Sequence, residues 1–232
     1  MRRITLLLIT LSSLLYSQDI EKLLAEADKS WVGVKDFTAF FSKKELLNGR
    51  IYEEKNVLLK QAKPLKVYMK WTQGDDEGQE IIYHPEKYGK KLQAHGGGWL
   101  NVVNVSLDPE GSQAMKKSRH AVYDSGIGHI HELIKKNYQL TKTTGKGKIA
   151  FVKEEMFDNK KTYLFQADLP ENLGFYAKKI LVNLDAATKL PLRITVYGFK
   201  NEFLEYYAFT NLKLNPGLTD KDFDMDHRDY KF

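Results

Sequence analysis

Cysteine is absent from the 232 residues. Disulfides, zinc–thiolate sites, thiol nucleophiles and a lipid-anchored N-terminal cysteine are therefore excluded. Six prolines and 16 glycines are too few for a collagen-like or disordered chain. Beyond the first 17 residues no apolar run approaches the roughly 20 residues that cross a bilayer. Charge of one sign is scarce as well. The 36 basic and 30 acidic residues leave a net +6, too little for a dedicated nucleic-acid protein but enough for peripheral contact with an anionic membrane surface.

What the chain does have begins at its N-terminus. Arg2-Arg3 precede the apolar run Ile4–Leu11, and Ser12-Ser13-Leu14-Leu15-Tyr16-Ser17 lead to Gln18-Asp19. A basic start, a short apolar core and a small residue before the cut form a secretory signal. Residues 1–17 are expected to be removed after Ser17, leaving a mature chain 18–232 in the periplasm with no lipid anchor.

The mature chain opens on Ile20, Leu23, Leu24, Ala27 and Trp31 at helical spacing, with Asp19 placed as a cap. After Gly33 the period changes to two. Phe37, Ala39 and Phe41 alternate with polar neighbours, and Asn48-Gly49 sits between two strand-like runs, a hairpin signal. Behind Pro64, residues Leu65, Val67, Met69 and Trp71 point one way while Lys66, Tyr68, Lys70 and Thr72 point to water. Further strands are expected at 79–84, 91–95, 99–105, 149–156, 162–167, 175–184, 192–197 and 202–209. Between 107 and 137 the alternation breaks. Asp108-Pro109-Glu110-Gly111 reads as a turn into a short polar helix, and Ile127, Ile130, Leu133 and Ile134 mark a second helix ending near Lys136. The pattern predicts a single α+β domain whose antiparallel sheet has about ten strands.

The order of these segments resembles the bacterial family called domain of unknown function 1571, within the LolA-like superfamily of exported proteins. The carrying residues are Phe37–Glu45, Pro64–Trp71, Gly78–Tyr83, Lys91–Gly96, Ser118-Arg119-His120 with Ser125-Gly126-Ile127, Asn183–Pro191, Tyr207–Leu212 and Asp220–Phe223. The resemblance implies a strongly curved incomplete barrel, with the N-terminal helix and the helical insertion against its concave side. It also implies export. The superfamily's best-known members carry or receive lipoproteins by holding acyl chains. The resemblance covers most of residues 20–223, and 18–232 is expected to form one half-barrel domain.

Motifs for catalysis are incomplete. His95-Gly96-Gly97-Gly98 is similar to an esterase oxyanion loop, but no serine stands in a nucleophile elbow, so the glycines read as a turn. His129 and His131 are two apart, where helical metal ligands need four, and read as an exposed polar face. Asp220, Asp222, Asp224 and Asp226 lack the glycine and the twelfth-position acid of a calcium loop, and read as a solvated tail around Phe223. No catalytic residue, cofactor or metal is expected.

The 28 aromatics remain. Several share strand faces with aliphatic residues, and Met69, Trp71, Tyr83, Trp99, Phe165 and Tyr197 are the candidate lining of an apolar cavity. Two readings stay open. In one, a monomeric carrier holds a lipid or lipoprotein acyl chain; in the other, a closed-core envelope module binds a partner protein and takes no small ligand.

Overall fold

The computed structural model describes residues 20–97 and 104–232. The signal-like segment, Asp19, Trp99 and most of the expected strand 99–105 lie outside the described residues. The chain divides into two compact units. The larger comprises 34–129 with 203–232, and the smaller 130–202 with the described part of 1–33. The fold is α+β, and the eleven strands of the described residues form one open antiparallel sheet, where the pattern predicts about ten.

In the larger unit the strand order is β6-β5-β4-β3-β2-β1-β11. These strands are β1 (Asp36–Leu47), β2 (Arg50–Ala62), β3 (Lys66–Lys70), β4 (Glu80–Tyr83), β5 (Leu92–His95), β6 (Asn104–Leu107) and β11 (Phe203–Leu214). The β1–β2 turn is as expected: Asn48 and Gly49 have φ of 50° and 76°, the positive values that a two-residue hairpin demands. On β1 the inward side chains are Phe37, Ala39 and Phe41, but the same face continues into buried Lys43 and Glu45.

Tyr68 corrects the expectation of a one-sided β3. It is 1% exposed, as buried as its neighbours Val67 and Met69. The C-terminal tail covers it. Phe223, 0% exposed in the turn Asp220–Phe223, packs with Ala62, Tyr68 and Ile82, and Tyr230 stacks on Tyr68 at 4.0 Å. The tail acids are not merely solvated. Asp222 pairs with Lys60 at 2.9 Å, Asp224 with Lys87 at 2.5 Å, and Asp220 with Lys66. Lys60 and Lys66 of the strands and Lys87 of the short helix Pro85–Tyr88 thus neutralise a segment whose own sequence reads as repulsive.

In the smaller unit β10 (Pro191–Tyr197), β9 (Lys179–Asp185), β8 (Lys160–Asp168) and β7 (Lys148–Phe157) follow one another. Their apolar face carries Phe165, Val182 and Leu184. Ile20 and Leu23 of α1 (residues 20–33) and Ile134 of the central helix pack on it. That helix follows the four-residue α2 (Pro85–Tyr88) in the chain and is α3 (Ile127–Thr144). It runs eight residues past the expected end. In that extension Thr141, Thr143 and Thr144 donate their hydroxyls to carbonyls four residues back, which satisfies these polar side chains within the helix.

His131 also departs from expectation. It is 1% exposed and bonds Asp28 of α1 at 2.8 Å, while Lys135 pairs with the same carboxylate at 2.9 Å. A two-residue step places it on the helix flank that faces α1, not on the solvent side. The short polar helix expected after Gly111 does not form either. Residues 109–117 run through turns, since no apolar face is present to reward a helix for its entropy.

Candidate functional site

Helices α1 and α3 pack on the apolar face of the smaller unit. The crevice they leave, walled by Leu23, Ile134, Phe165, Val182, Leu184 and Ile194, holds about 50 Å³. A more open groove of about 590 Å³ beside it is lined by Lys22, Leu23, Glu26, Phe151, Glu154, Tyr163, Phe165 and Lys189, so the predicted Phe165 borders both.

The larger unit has no long helix to lay over β3–β6. Its cover is the irregular segment 109–125, and beneath that cover lies a cavity of about 490 Å³. The floor follows from strand register. Met69 faces Ile81, Ile81 faces Ala94 and Ala94 faces Val105, so one cross-strand row supplies four apolar side chains. Trp71, Leu92 and Leu107 extend the row on the same side. The roof is polar: Gln113, Lys116, Lys117, Ser118 and His120, with Pro109 and Ala114 between them. The sequence between β6 and α3 lacks any regular period, and that irregularity is why the site is not filled.

A buried charge network closes one end. Glu45 and Glu205 stand directly opposite each other on β1 and β11, and each is at most 2% exposed. Like charges in register repel, so their partners matter. Glu205 accepts from His120 Nε2 at 2.9 Å and Tyr207 Oη at 3.2 Å, and Arg119 Nε lies 3.3 Å away. Glu45 accepts from the Arg119 backbone N–H at 3.1 Å and from Tyr207, and pairs with Lys43 at 3.4 Å. Burial pulls the His120 imidazole down, but its hydrogen bond to Glu205 and the charges of Glu205, Glu45 and Asp124 outweigh this and hold it above the usual histidine value.

Glu54 stands on the cavity wall beside Trp71. Its carboxyl lies 3.5 Å from Lys43, and Oε2 makes no hydrogen bond of good geometry. Burial pushes its pKa above the ordinary carboxylate range, against the pull of Lys43 and Trp71 and with help from Asp76 and Glu45. A carboxyl whose folded-state pKa is raised stabilises the fold while protonated. That contribution is lost as pH climbs from the unfolded value toward the folded one, after which an ionised group stays buried at a cost. Glu54→Gln is therefore expected to gain stability over the native chain as pH rises from 4 to 8. Urea midpoints across that range check this, and parallel profiles for the two proteins would overturn it.

The candidate lining separates accordingly. Met69 and Trp71 line the 490 Å³ cavity. Tyr83 shares their face, is 6% exposed and packs on Tyr123 with ring centres 5.5 Å apart. Phe165 walls the small crevice of the other unit. Tyr197 stands on the face of β10 opposite to Ile194, with Lys179 over its ring at 5.6 Å. Sequence reasoning missed Ala94, Val105 and Leu107, whose short strands carry no strong alternation, and missed the roof entirely. Gly97 has a structural use. A Cβ there would sit 2.7–2.9 Å from backbone atoms of Asp76, Glu77 and Gln79, so the close approach of these two segments beside the cavity requires glycine. Among the described residues no cluster of His, Asp or Glu could hold a metal ion, and no helix is long and apolar enough to cross a membrane.

Comparison with known proteins gives a family and a set of similar folds. The model of a family described as "Protein of unknown function (DUF1571)" matches residues 34–232. Among solved structures, the chain is similar to lipoprotein LppX of Mycobacterium tuberculosis, at 12% identity and a TM-score of 0.49, over 86% of this chain and 98% of that one. It is also similar to a LolA superfamily protein from Nitrosomonas europaea, at 12% identity and a TM-score of 0.34, over 89% and 98%. The MucA/MucB complex structure from Pseudomonas aeruginosa aligns at 14% identity and a TM-score of 0.45, over 89% of this chain and 59% of that one. No curated protein matches.

Proposed function

Since the chain belongs to the family of unknown function DUF1571, whose name assigns no activity, we propose from the geometry of its own cavity that it is a non-enzymatic binding module. We place it in the periplasm, exported by a signal peptide at 1–17 and working as the domain 18–232. It holds the apolar part of a lipid or acylated partner. The observation that carries this reading is the cavity of about 490 Å³ under segment 109–125, with an apolar strand floor and a polar roof.

That volume lies within the roughly 300–1,000 Å³ of small-molecule sites. At about 30 Å³ for each water-sized group, it has room for roughly a dozen methylenes with some solvent left. Burying each methylene is worth about 0.8 kcal/mol before ordering costs, so a medium-length chain suffices for micromolar affinity. A closed-core module without a ligand is the competing reading, and the unfilled volume tells against it.

Titration of the delipidated mature protein with acyl chains of six to sixteen carbons is expected to give saturable binding that tightens with length up to about twelve. Ala94→Phe, which adds a ring to the cavity floor while leaving the rest of the row in place, is expected to abolish binding with little loss of stability. Binding indifferent to chain length, or unchanged in a folded Ala94→Phe variant, would refute the reading.

A further inference from the structure

The charges around the cavity of the larger unit can be taken one by one. Lys43 is held by Glu45 and Glu54, at 3.4 and 3.5 Å, and by Ser118. Lys117 binds both carboxylate oxygens of Asp76, at 2.9 and 2.7 Å, which neutralises the acid as well. His120 is bonded to Glu205 at 2.9 Å. His95 is hydrogen-bonded to Asn104 at 2.7 Å and packs its ring edge-on against Phe232. One group on the roof differs. Lys116 lines the cavity, is exposed to water and, among the described residues, makes no ion pair.

A site with an apolar floor, internally neutralised walls and a single uncommitted cation at its mouth has a defined complement. We propose that this cavity takes a single-chain anionic amphiphile, its chain along the Met69–Ile81–Ala94–Val105 row and its head group at Lys116. The proposal rests on the binding reading above and adds head-group selectivity to it.

Three features favour an anion over a neutral or cationic head. A flexible lysine with three donors can meet a carboxylate or phosphate oxygen without breaking an existing pair. Asp76, an acid of the lining, is already spent on Lys117. The other lining acid, Glu54, lies 3.5 Å from Lys43, so its charge is met by that lysine rather than turned on an incoming anion. A cationic head would meet Lys116 at the mouth, and the lining acids Glu54 and Asp76 each already face a lysine.

Displacement of the uncharged probe N-phenyl-1-naphthylamine from the mature protein tests this with four ligands of equal chain length: dodecanoate, dodecyl phosphate, dodecanol and dodecyltrimethylammonium. Both anions are expected to bind about tenfold more tightly than the alcohol, with the cation weakest. The advantage of the anions should shrink with added salt. Lys116→Glu is expected to remove that advantage, leave dodecanol within twofold and leave the thermal midpoint unchanged; Lys116→Arg should restore it. A preference for one anion identifies the head as carboxylate or phosphate, both of which uphold the proposal. Equal binding of all four ligands, or anion binding untouched by Lys116→Glu, would overturn head-group selection while the apolar site stands. If none of the four displaces the probe, the binding reading itself falls.

Discussion

Glu205→Ala is expected to destabilise the protein by about 3–5 kcal/mol, the range for breaking one side of a buried ion-paired network. Glu205 is 1% exposed and is the shared acceptor of His120, Arg119 and Tyr207. Removing it leaves two cationic side chains of the cavity cover without their main counter-charge. Their desolvation is then uncompensated. Arg119 keeps other bonds, among them Nη1 to the Leu46 carbonyl at 2.9 Å and its backbone N–H to Glu45 at 3.1 Å, so part of the segment stays anchored. Glu205→Gln retains shape and one acceptor and should lose less. Combining Glu205→Ala with Arg119→Ala should cost less than the two single losses together, because the second change deletes a charge the first has orphaned. Urea denaturation of the native chain, the three single variants and the double variant measures all of this. A loss below about 1 kcal/mol for Glu205→Ala, as for an exposed pair, would mean that the network is solvated.

The second large effect belongs to the C-terminal tail. Phe223→Ala is expected to cost about 3–5 kcal/mol, the range for truncating a fully buried aromatic ring. Its ring closes a cluster with Ala62, Tyr68 and Ile82, on which Leu218, Met225, Tyr230 and Phe232 also rest. The tail's ion pairs cannot hold it alone, since pairs such as Lys66–Asp220 and Lys87–Asp224 involve partly exposed side chains and contribute about 1 kcal/mol or less each. In Phe223→Ala, residues 218–232 should become protease-sensitive before the remainder of the chain. In Lys87→Ala they should stay protected. Equal protection of Phe223→Ala and the native protein would show that the tail is anchored by something other than this ring.

The register of charges explains why one part of the candidate site was legible and another was not. Met69 and Trp71 were found because β3 alternates, and alternation is a property of neighbouring residues. The pairing of Glu45 with Glu205 joins residues 160 positions apart through the β1–β11 ladder, and no local pattern encodes it. His131 read as solvent-facing because its partner Asp28 lies on a separate helix. Tyr68 read as exposed because the residues that cover it, Phe223 and Tyr230, come from the far end of the chain.

The sequence by itself determined the local elements. It set the change of period at Gly33, the positive-φ turn at Asn48-Gly49, the alternation that makes antiparallel strands, and the helical faces of 20–33 and 127–134. Each depends on contacts within a few residues, where backbone preference and side-chain spacing act directly. Tertiary structure alone decided that helices pack on the sheet face in one unit while an irregular segment roofs it in the other. It also decided which lysines are spent on acids, and that Lys116 is not. A cavity is a difference between the volume a cover could occupy and the volume it does occupy, and an uncommitted charge is a difference between possible and actual partners. Both are fixed only when segments distant in the chain are brought together.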